Sequence, residues 1–307
     1  MKNKLIFSLI LLLSIPFAQS MKASGFTSSM LNFLYQNPIG KTVKNIVTSN
    51  RYFSTLIGWC ANRALSKYAI NQFVQKNNID LSEAEPSDIS KYGSFNEFFI
   101  RKLKDGARPI DQDQNSIVSP ADGQLYVVEN LTAQTEFLVK GKPFNLEKLV
   151  GNNELAQNYV GGTMVVVYLA PHNYHRFHFP VSCTPSVPFF INGRYESVNS
   201  FVYASGIQPL TENERHLILL NHSTLGKIAY IPVGALCVGK IVETYKHNEC
   251  AQKGDEAGYF CFGGSTIVML FEKNTIKVDN KFTQGNQPTP IKMGERIATI
   301  QVKGWLD

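Results

Sequence analysis

No aspartate or glutamate precedes Asp80, so the first quarter of the chain carries only positive charge. Charge is sparse overall. Charged residues make up 18% of the 307 positions and hydrophobic ones 44%, which describes a globular chain with a real core and excludes a disordered one. The net charge of +6 includes Lys2 and Lys4 of the extreme N-terminus, and no dense Lys/Arg run occurs. That balance suits an anionic membrane surface and gives no reason to expect nucleic acid. Cysteine is scarce: Cys60, Cys183, Cys237, Cys250 and Cys261 are odd in number and contain no CxxC pair. Neither a zinc site nor a disulfide framework follows, although one bridge in an exported chain stays open. Internal repeats and low-complexity tracts are missing. No serine sits in a G-x-S-x-G elbow, which disfavours an α/β-hydrolase.

Long apolar runs are also missing, apart from one at the start. Residues 1–20 read as a secretory leader, with Lys2 and Lys4 as the charged region, residues 5–17 as a short apolar core, and Ala18-Gln19-Ser20 as small residues for a signal peptidase. A retained signal anchor is the alternative. From Phe26 to Asn78, apolar residues recur at three- and four-residue steps, among them Leu31, Leu34, Val43, Ile46, Phe53, Leu56, Leu65, Ala69 and Phe73. Lys41, Lys44, Arg51, Arg63 and Lys67 are interleaved. Residues 21–90 therefore read as a helical, membrane-proximal region that lies on an anionic bilayer or packs as a layer on the rest of the protein.

After the polar connection 80–94, β signals dominate from Ile117. Short runs at 123–128, 163–169, 216–220, 229–233, 235–242 and 266–271 are separated by Gly, Pro or Asn. A short helix is expected at 145–149 and a turn between strands at 291–298. The fold class expected is α+β, with an N-terminal amphipathic helical layer followed by a mostly β, barrel- or sandwich-like domain over 91–307.

Three stretches could carry chemistry. Gly263-Gly264-Ser265-Thr266 places a hydroxyl after two residues of little bulk, where the backbone can take geometries other residues resist. Ser265 could reach the carbonyl of Gly264, or the stretch could be a glycine turn entering a buried strand. Ser119-Pro120-Ala121-Asp122-Gly123 sets a carboxylate in a tight turn before a strand, where Asp122 could act on a neighbour or bond only its own turn. His172, His175 and His178 recur at three-residue steps. On an extended segment that step puts neighbours on opposite faces, and no Cys or carboxylate completes a set, so a metal is not expected.

These blocks together resemble the phosphatidylserine decarboxylases. Gly263-Gly264-Ser265-Thr266 is similar to the family's GGST processing site, and His175-Arg176-Phe177-His178-Phe179-Pro180 to its histidine block. Phe98-Phe99-Ile100-Arg101-Lys102-Leu103 resembles the segment that opens the domain, followed by Ala107-Arg108-Pro109-Ile110. Asn213-Glu214-Arg215 and the Val233-Gly234-Ala235 strand with Val238-Gly239 also match.

The resemblance implies a chain that cuts itself between Gly264 and Ser265. The part up to Gly264 and the part from Ser265 to Asp307 would stay associated. A covalent pyruvoyl group made from Ser265 would take the substrate amine, with no metal. It implies Asp122, His178 and Ser265 as the self-processing triad; His175 is the candidate proton donor in decarboxylation, and Arg176 either contacts a phosphate or carboxylate of the substrate or supports the fold. The implied substrate is phosphatidylserine in an anionic membrane and the product phosphatidylethanolamine. The location would be peripheral on a membrane reached through the export pathway, and a homodimer is left open. The alternatives are a related pyruvoyl decarboxylase acting on free serine or a modified lipid, a protease-like hydrolase, and a barrel-type binding module without activity.

Overall fold

The structure, a computed structural model, describes residues 33–48, 51–137, 142–198, 202–203, 205–236, 240–263, 265–284 and 288–301. The expected leader, Gly264, the Val139-Lys140-Gly141 stretch, and Cys237 with Val238-Gly239 lie outside the described residues.

Helices come first. They are α1 (Pro38–Thr48), α2 (Arg51–Ala61) and α3 (Ile70–Asn77), with a 3-10 turn at Ala64–Ala69 between the last two. Then follows α4 (Phe95–Phe99), which starts at Ser94, whose side chain accepts the Glu97 N–H and caps one of the orphan donors of the first turn. Two short helices, α5 (Leu146–Val150) and α6 (Asn153–Gln157), are capped in the same way by Asn145 and Asn152. The expected short helix is thus present, shifted by one residue because Asn145 serves as its cap.

The strands that frame the site are β1 (Gly123–Val128), β2 (Thr163–Leu169), β3 (Arg176–His178), β4 (Phe189–Ile191), β5 (Arg215–His222), β6 (Gly226–Val233), β7 (Ile241–Glu243), β8 (Glu256–Phe260), β9 (Ser265–Phe271) and β10 (Thr289–Ile291). The main sheet runs in the order β4-β5-β6-β9-β2-β1-β10, with every pairing antiparallel. A second, three-stranded sheet runs in the order β7-β8-β3, and a third joins Ile276–Val278, Arg296–Ile300 and Ser116–Val118.

The core explains why the central strands are apolar throughout. Ile267, Met269 and Phe271 of β9 enter one cluster with Val165, Val167 and Leu169 of β2, while Val268, Leu270, Met164 and Val166 enter another. Alternate side chains point to opposite faces of a strand, and here both faces are covered. The smaller sheets close one face with Phe177, Phe260, Ile241 and Ile297. Helices α5 and α6 close the other with Leu146, Leu149, Val150 and Ala156. The architecture is therefore mixed and sandwich-like, and the main sheet does not close into a barrel. The expected run 235–242 is not one strand: the ladder of β6 ends at Val233, and β7 begins at Ile241 in a different sheet.

The N-terminal helices are partly packed and partly bare. Glu196, fully buried, accepts hydrogen bonds from Tyr35 and Thr48 and pairs with Lys44, which fastens α1 to the β domain. Ile70 and Phe73 join Phe95, Phe98 and Phe99 in a small aromatic core. Ile39, Trp59, Leu65 and Tyr68 remain exposed. Among the described residues no helix is long and apolar enough to cross a membrane.

Candidate active site

Ser265 opens β9, the strand at the middle of the main sheet, where it pairs with Leu169 of β2 and is fully buried. Gly263, two residues earlier, has φ 143°, a conformation that L side chains rarely adopt. The approach to Ser265 is fixed from outside the sheet by α4. Asn96 accepts the Phe262 N–H at 2.9 Å, and the Phe262 ring meets Phe95 and Phe99 edge-on with centroids 5.1 and 5.3 Å apart.

His175 is the histidine beside Ser265. Its Nδ1 lies 3.3 Å from Ser265 Oγ and its Nε2 lies 3.0 Å from the Ala170 carbonyl. A carbonyl only accepts, so Nε2 carries the proton and Nδ1 presents its lone pair to the hydroxyl. The imidazole stacks on Phe99 with centroids 4.0 Å apart and is fully buried. Burial, followed by the charge of Arg101, pushes its pKa down to about 3. His175 is thus a neutral base at any physiological pH.

His178 ends β3 and faces elsewhere. Its Nδ1–H donates to the Gly254 carbonyl at 2.9 Å, and its Nε2 accepts from the Tyr174 hydroxyl at 3.1 Å. Burial lowers its pKa as well, with the Gly254 hydrogen bond and then the Glu256 charge opposing. The two rings have no partner in common, as expected where a three-residue step on extended backbone turns neighbours to opposite faces. His172, the third histidine of the run, lines a cleft described below.

Asp122 sits in the expected turn. Ser119 Oγ donates to the Ala121 carbonyl across it, and the His178 N–H donates to Pro120. Gly123 is needed there, because a Cβ at that position would come within 2.2 Å of the Tyr168 carbonyl oxygen. The Asp122 carboxylate accepts from Arg108 Nε at 2.9 Å, from Arg108 Nη2 at 2.7 Å, and from the Met293 N–H at 2.9 Å. Asp122, His178 and Ser265 therefore do not form a hydrogen-bonded relay in this arrangement. The physical reason is the partner available to each. A forked guanidinium gives Asp122 two charge-assisted bonds that a neutral imidazole cannot match, and His175 occupies the position next to Ser265. Burial would lower the pKa of Arg108, but Asp122 and Glu83 override it and hold the guanidinium charged.

Arg176 is engaged within the fold. Its Nη1 donates to both Glu256 oxygens and its Nε to the Ile100 carbonyl, which ties β3 to β8 and to the end of α4.

Four contributors carried no assigned role in the sequence reading: Arg108, Phe99, Tyr174 and Arg101. All four lie inside the stretches quoted above, or beside His175, so their presence was legible. For Arg108, Phe99 and Arg101 the partners were not, because those contacts join separate segments, whereas Tyr174 meets His178 only four residues on. Next to the site is a cleft of about 450 Å³ whose lining includes Arg101, Arg108, Asp122, His172, Tyr174 and Lys292. The chemistry assembled here is a buried serine hydroxyl touching a neutral base, with a second histidine, a carboxylate and spare positive charge close by. That set can move protons at one buried serine.

Comparison with known proteins gives a consistent result. The family model described as phosphatidylserine decarboxylase matches residues 95–299. A phosphatidylserine decarboxylase proenzyme from Fusobacterium nucleatum is 44% identical over 270 residues, covering 87% of this chain and 90% of the relative. Proteins of the same name from Chlamydia trachomatis and Clostridium botulinum are each 39% identical, the first covering 82% of this chain and 83% of the relative, the second 87% and 91%.

Proposed function

Because the chain belongs to the phosphatidylserine decarboxylase family, we propose that it cuts itself between Gly264 and Ser265 and then converts phosphatidylserine to phosphatidylethanolamine and carbon dioxide. The observation that carries this reading is the contact between the Ser265 hydroxyl and the unprotonated nitrogen of His175, placed at the start of a buried strand and directly after the GGST glycines.

The residues fit a serine-derived pyruvoyl group. Ser265 Oγ is buried, its neighbour His175 is a base, and the flanking Gly263 allows the backbone an unusual path. In the first stage His175 Nδ1 takes the Oγ proton, and Oγ attacks the Gly264 carbonyl so that an ester replaces the amide. Elimination across Cα and Cβ of residue 265 releases the Gly264 carboxylate and leaves a dehydroalanine. Water then hydrolyses this to a pyruvoyl group and ammonia. Several protons move in this sequence: one leaves Oγ, one reaches the former amide nitrogen, and one leaves Cα. A single imidazole is a poor candidate for all three. We assign His178, its ring held by Tyr174 and Gly254, and Asp122, held by Arg108 and the Met293 N–H, to the same stage. Both His178→Ala and Asp122→Ala should leave the chain uncut.

What the pyruvoyl group supplies in the second stage is an electron sink for the pair released as carbon dioxide leaves. His175 remains beside residue 265, where Nδ1 would take a proton released by the substrate ammonium and return it to the carbon that loses the carboxylate. Phe99 keeps its ring in plane and the Ala170 carbonyl keeps its tautomer fixed.

The exposed Ile39, Trp59, Leu65 and Tyr68 support contact with the bilayer that holds the substrate. The Arg63 guanidinium lies 3.8 Å from the centroid of the Trp59 ring, and Lys67 lies 5.7 Å from that of Tyr68. Aromatic rings paired with cations suit the headgroup region of an anionic membrane. We assign the protein to a membrane surface as a peripheral enzyme, delivered there through the leader at residues 1–20.

The test is incubation of the purified full chain with phosphatidylserine vesicles, with free serine in parallel. Carbon dioxide and phosphatidylethanolamine from the vesicles alone are the expected result. Release from free serine alone would move the substrate to the amino acid.

A further inference from the structure

Arg101 lies two residues beyond α4 and is buried, with 6% of its surface exposed. Its guanidinium sits over Phe98, 5.0 Å from the ring centroid. Nη2 donates to the His172 carbonyl at 3.2 Å and, more weakly, towards that of Asn173 at 3.5 Å. Nη1 is buried and has no hydrogen-bond partner among the described residues. No carboxylate pairs with Arg101 among them either, whereas Arg108 has Asp122 and Glu83 and Arg176 has Glu256.

A buried guanidinium stays charged, and leaving it unpaired is costly. Such a group persists where a ligand completes it. The cleft of about 450 Å³ that Arg101 lines is of a size to admit a lipid headgroup. The cleft lining also holds the carboxylates Asp80, Glu83, Asp122 and Glu295; Asp122 and Glu83 are held by Arg108, Glu83 also faces Lys292, and Asp80 accepts the Ser82 N–H. One segment connects the cleft to the chemistry. The carbonyls of His172 and Asn173 hold Arg101, and three residues on from His172 the same segment places His175 against Ser265.

We propose that Arg101 receives the phosphodiester of the phospholipid substrate through Nη1, and so fixes the headgroup beside His175 and residue 265. The proposal rests on the decarboxylase reading. Phosphatidylserine also offers a carboxylate, but that group loses its charge as carbon dioxide leaves. A guanidinium paired with it would stabilise the ground state more than the transition state and would slow the reaction. The phosphodiester keeps its charge throughout, so pairing with it raises affinity without opposing the chemistry.

The experiment compares Arg101→Gln and Arg101→Lys with the parent chain on two substrates: a short-chain phosphatidylserine and an O-acylserine that keeps the amine and carboxylate but lacks the phosphate. Maturation is followed by intact mass. Arg101→Gln should mature and lose about 10- to 100-fold in kcat/KM on phosphatidylserine, mostly through KM, as expected for one charged hydrogen-bond partner. Arg101→Lys should recover part of that loss, and the O-acylserine rate should fall far less than the phosphatidylserine rate. Equal loss on both substrates would mean that Arg101 reads the carboxylate, and no loss on either would make it a structural cation; both overturn the proposal. A second measurement does not depend on turnover. The uncut Ser265→Ala chain should be stabilised against heat by sn-glycerol 3-phosphate, and the Ser265→Ala/Arg101→Lys chain much less. Equal stabilisation of both contradicts the proposal even if the parent chain fails to decarboxylate phosphatidylserine, an outcome that would count against the activity alone.

Discussion

His175 Nδ1 lies 3.3 Å from Ser265 Oγ, while His178, three residues further on, is bonded to Tyr174 and Gly254. The two histidines are therefore separable in experiment. In His175→Gln, self-cutting should be slowed as well, and the fraction of chain that has matured should still decarboxylate phosphatidylserine about 100-fold or more slowly, the usual scale for a lost general acid or base. In His178→Gln, maturation should be lost or nearly so, and any fraction that matures should decarboxylate at nearly the parent rate. Single-turnover assays on matured protein, normalised to the pyruvoyl-bearing fragment, check both. The opposite pattern would exchange the roles of the two residues.

Asp122 and Arg108 form a buried ion pair with side chains 9% and 8% exposed. Removing one partner strands the other. Arg108→Met, made in the uncut Ser265→Ala background, should cost about 3–5 kcal/mol by urea unfolding. Adding Asp122→Asn should recover part of the loss, because the stranded carboxylate is then gone. Simple additivity of the two losses would contradict the pairing.

The pH dependence follows from burial. The His175 pKa stands at about 3, below its ordinary value, so its unprotonated fraction is constant from pH 8 down to pH 5. The rate of self-cutting should be flat across that window. A free imidazole as base would instead give a decline centred near pH 6.5. Stability behaves differently. Between the unfolded and folded pKa values the unfolded chain binds more protons, so the stability carried by neutral His175 and His178 is complete above about pH 6.5. It is lost as pH falls from there towards about 3. Thermal melts of the uncut Ser265→Ala chain should fall over that range, and less steeply when His175→Gln is added.

Membrane contact through the first helices is testable without deleting them. Trp59→Ser, Leu65→Ser and Tyr68→Ser alter exposed positions and should leave folding intact. Each should weaken flotation with anionic vesicles by roughly tenfold, the scale of burying one large apolar side chain. Undiminished flotation of the triple variant would move the contact elsewhere.

How far the sequence could be read differs by element. Runs such as 123–128 and 163–169 were legible because continuous apolar stretches bounded by Gly or Pro leave little choice, and both are strands over those residues. Ser265 was legible for a local reason, the two glycines before a buried run. The partners were not. Asp122 and Arg108 are both in quoted stretches, yet nothing local shows that Arg108 reaches Asp122 or that Phe99 supplies the surface on which His175 stacks. Which of two histidines three residues apart faces a serine some 90 positions later depends on the packing of β3 against β8 and of α4 against the processing loop. The 235–242 run failed for a similar reason: its apolar character fits a strand, but the chain leaves one sheet at Val233 and enters another at Ile241.

The central claim is that Ser265 is the residue at which the chain cuts itself, and intact mass of the purified full chain beside Ser265→Ala tests it most directly. The account predicts two fragments from the parent, the smaller beginning at residue 265 with a pyruvoyl-blocked end, and one uncut chain from Ser265→Ala. A folded parent chain that stays whole after ample time to mature, or a Ser265→Ala chain cut at the same place, would contradict it.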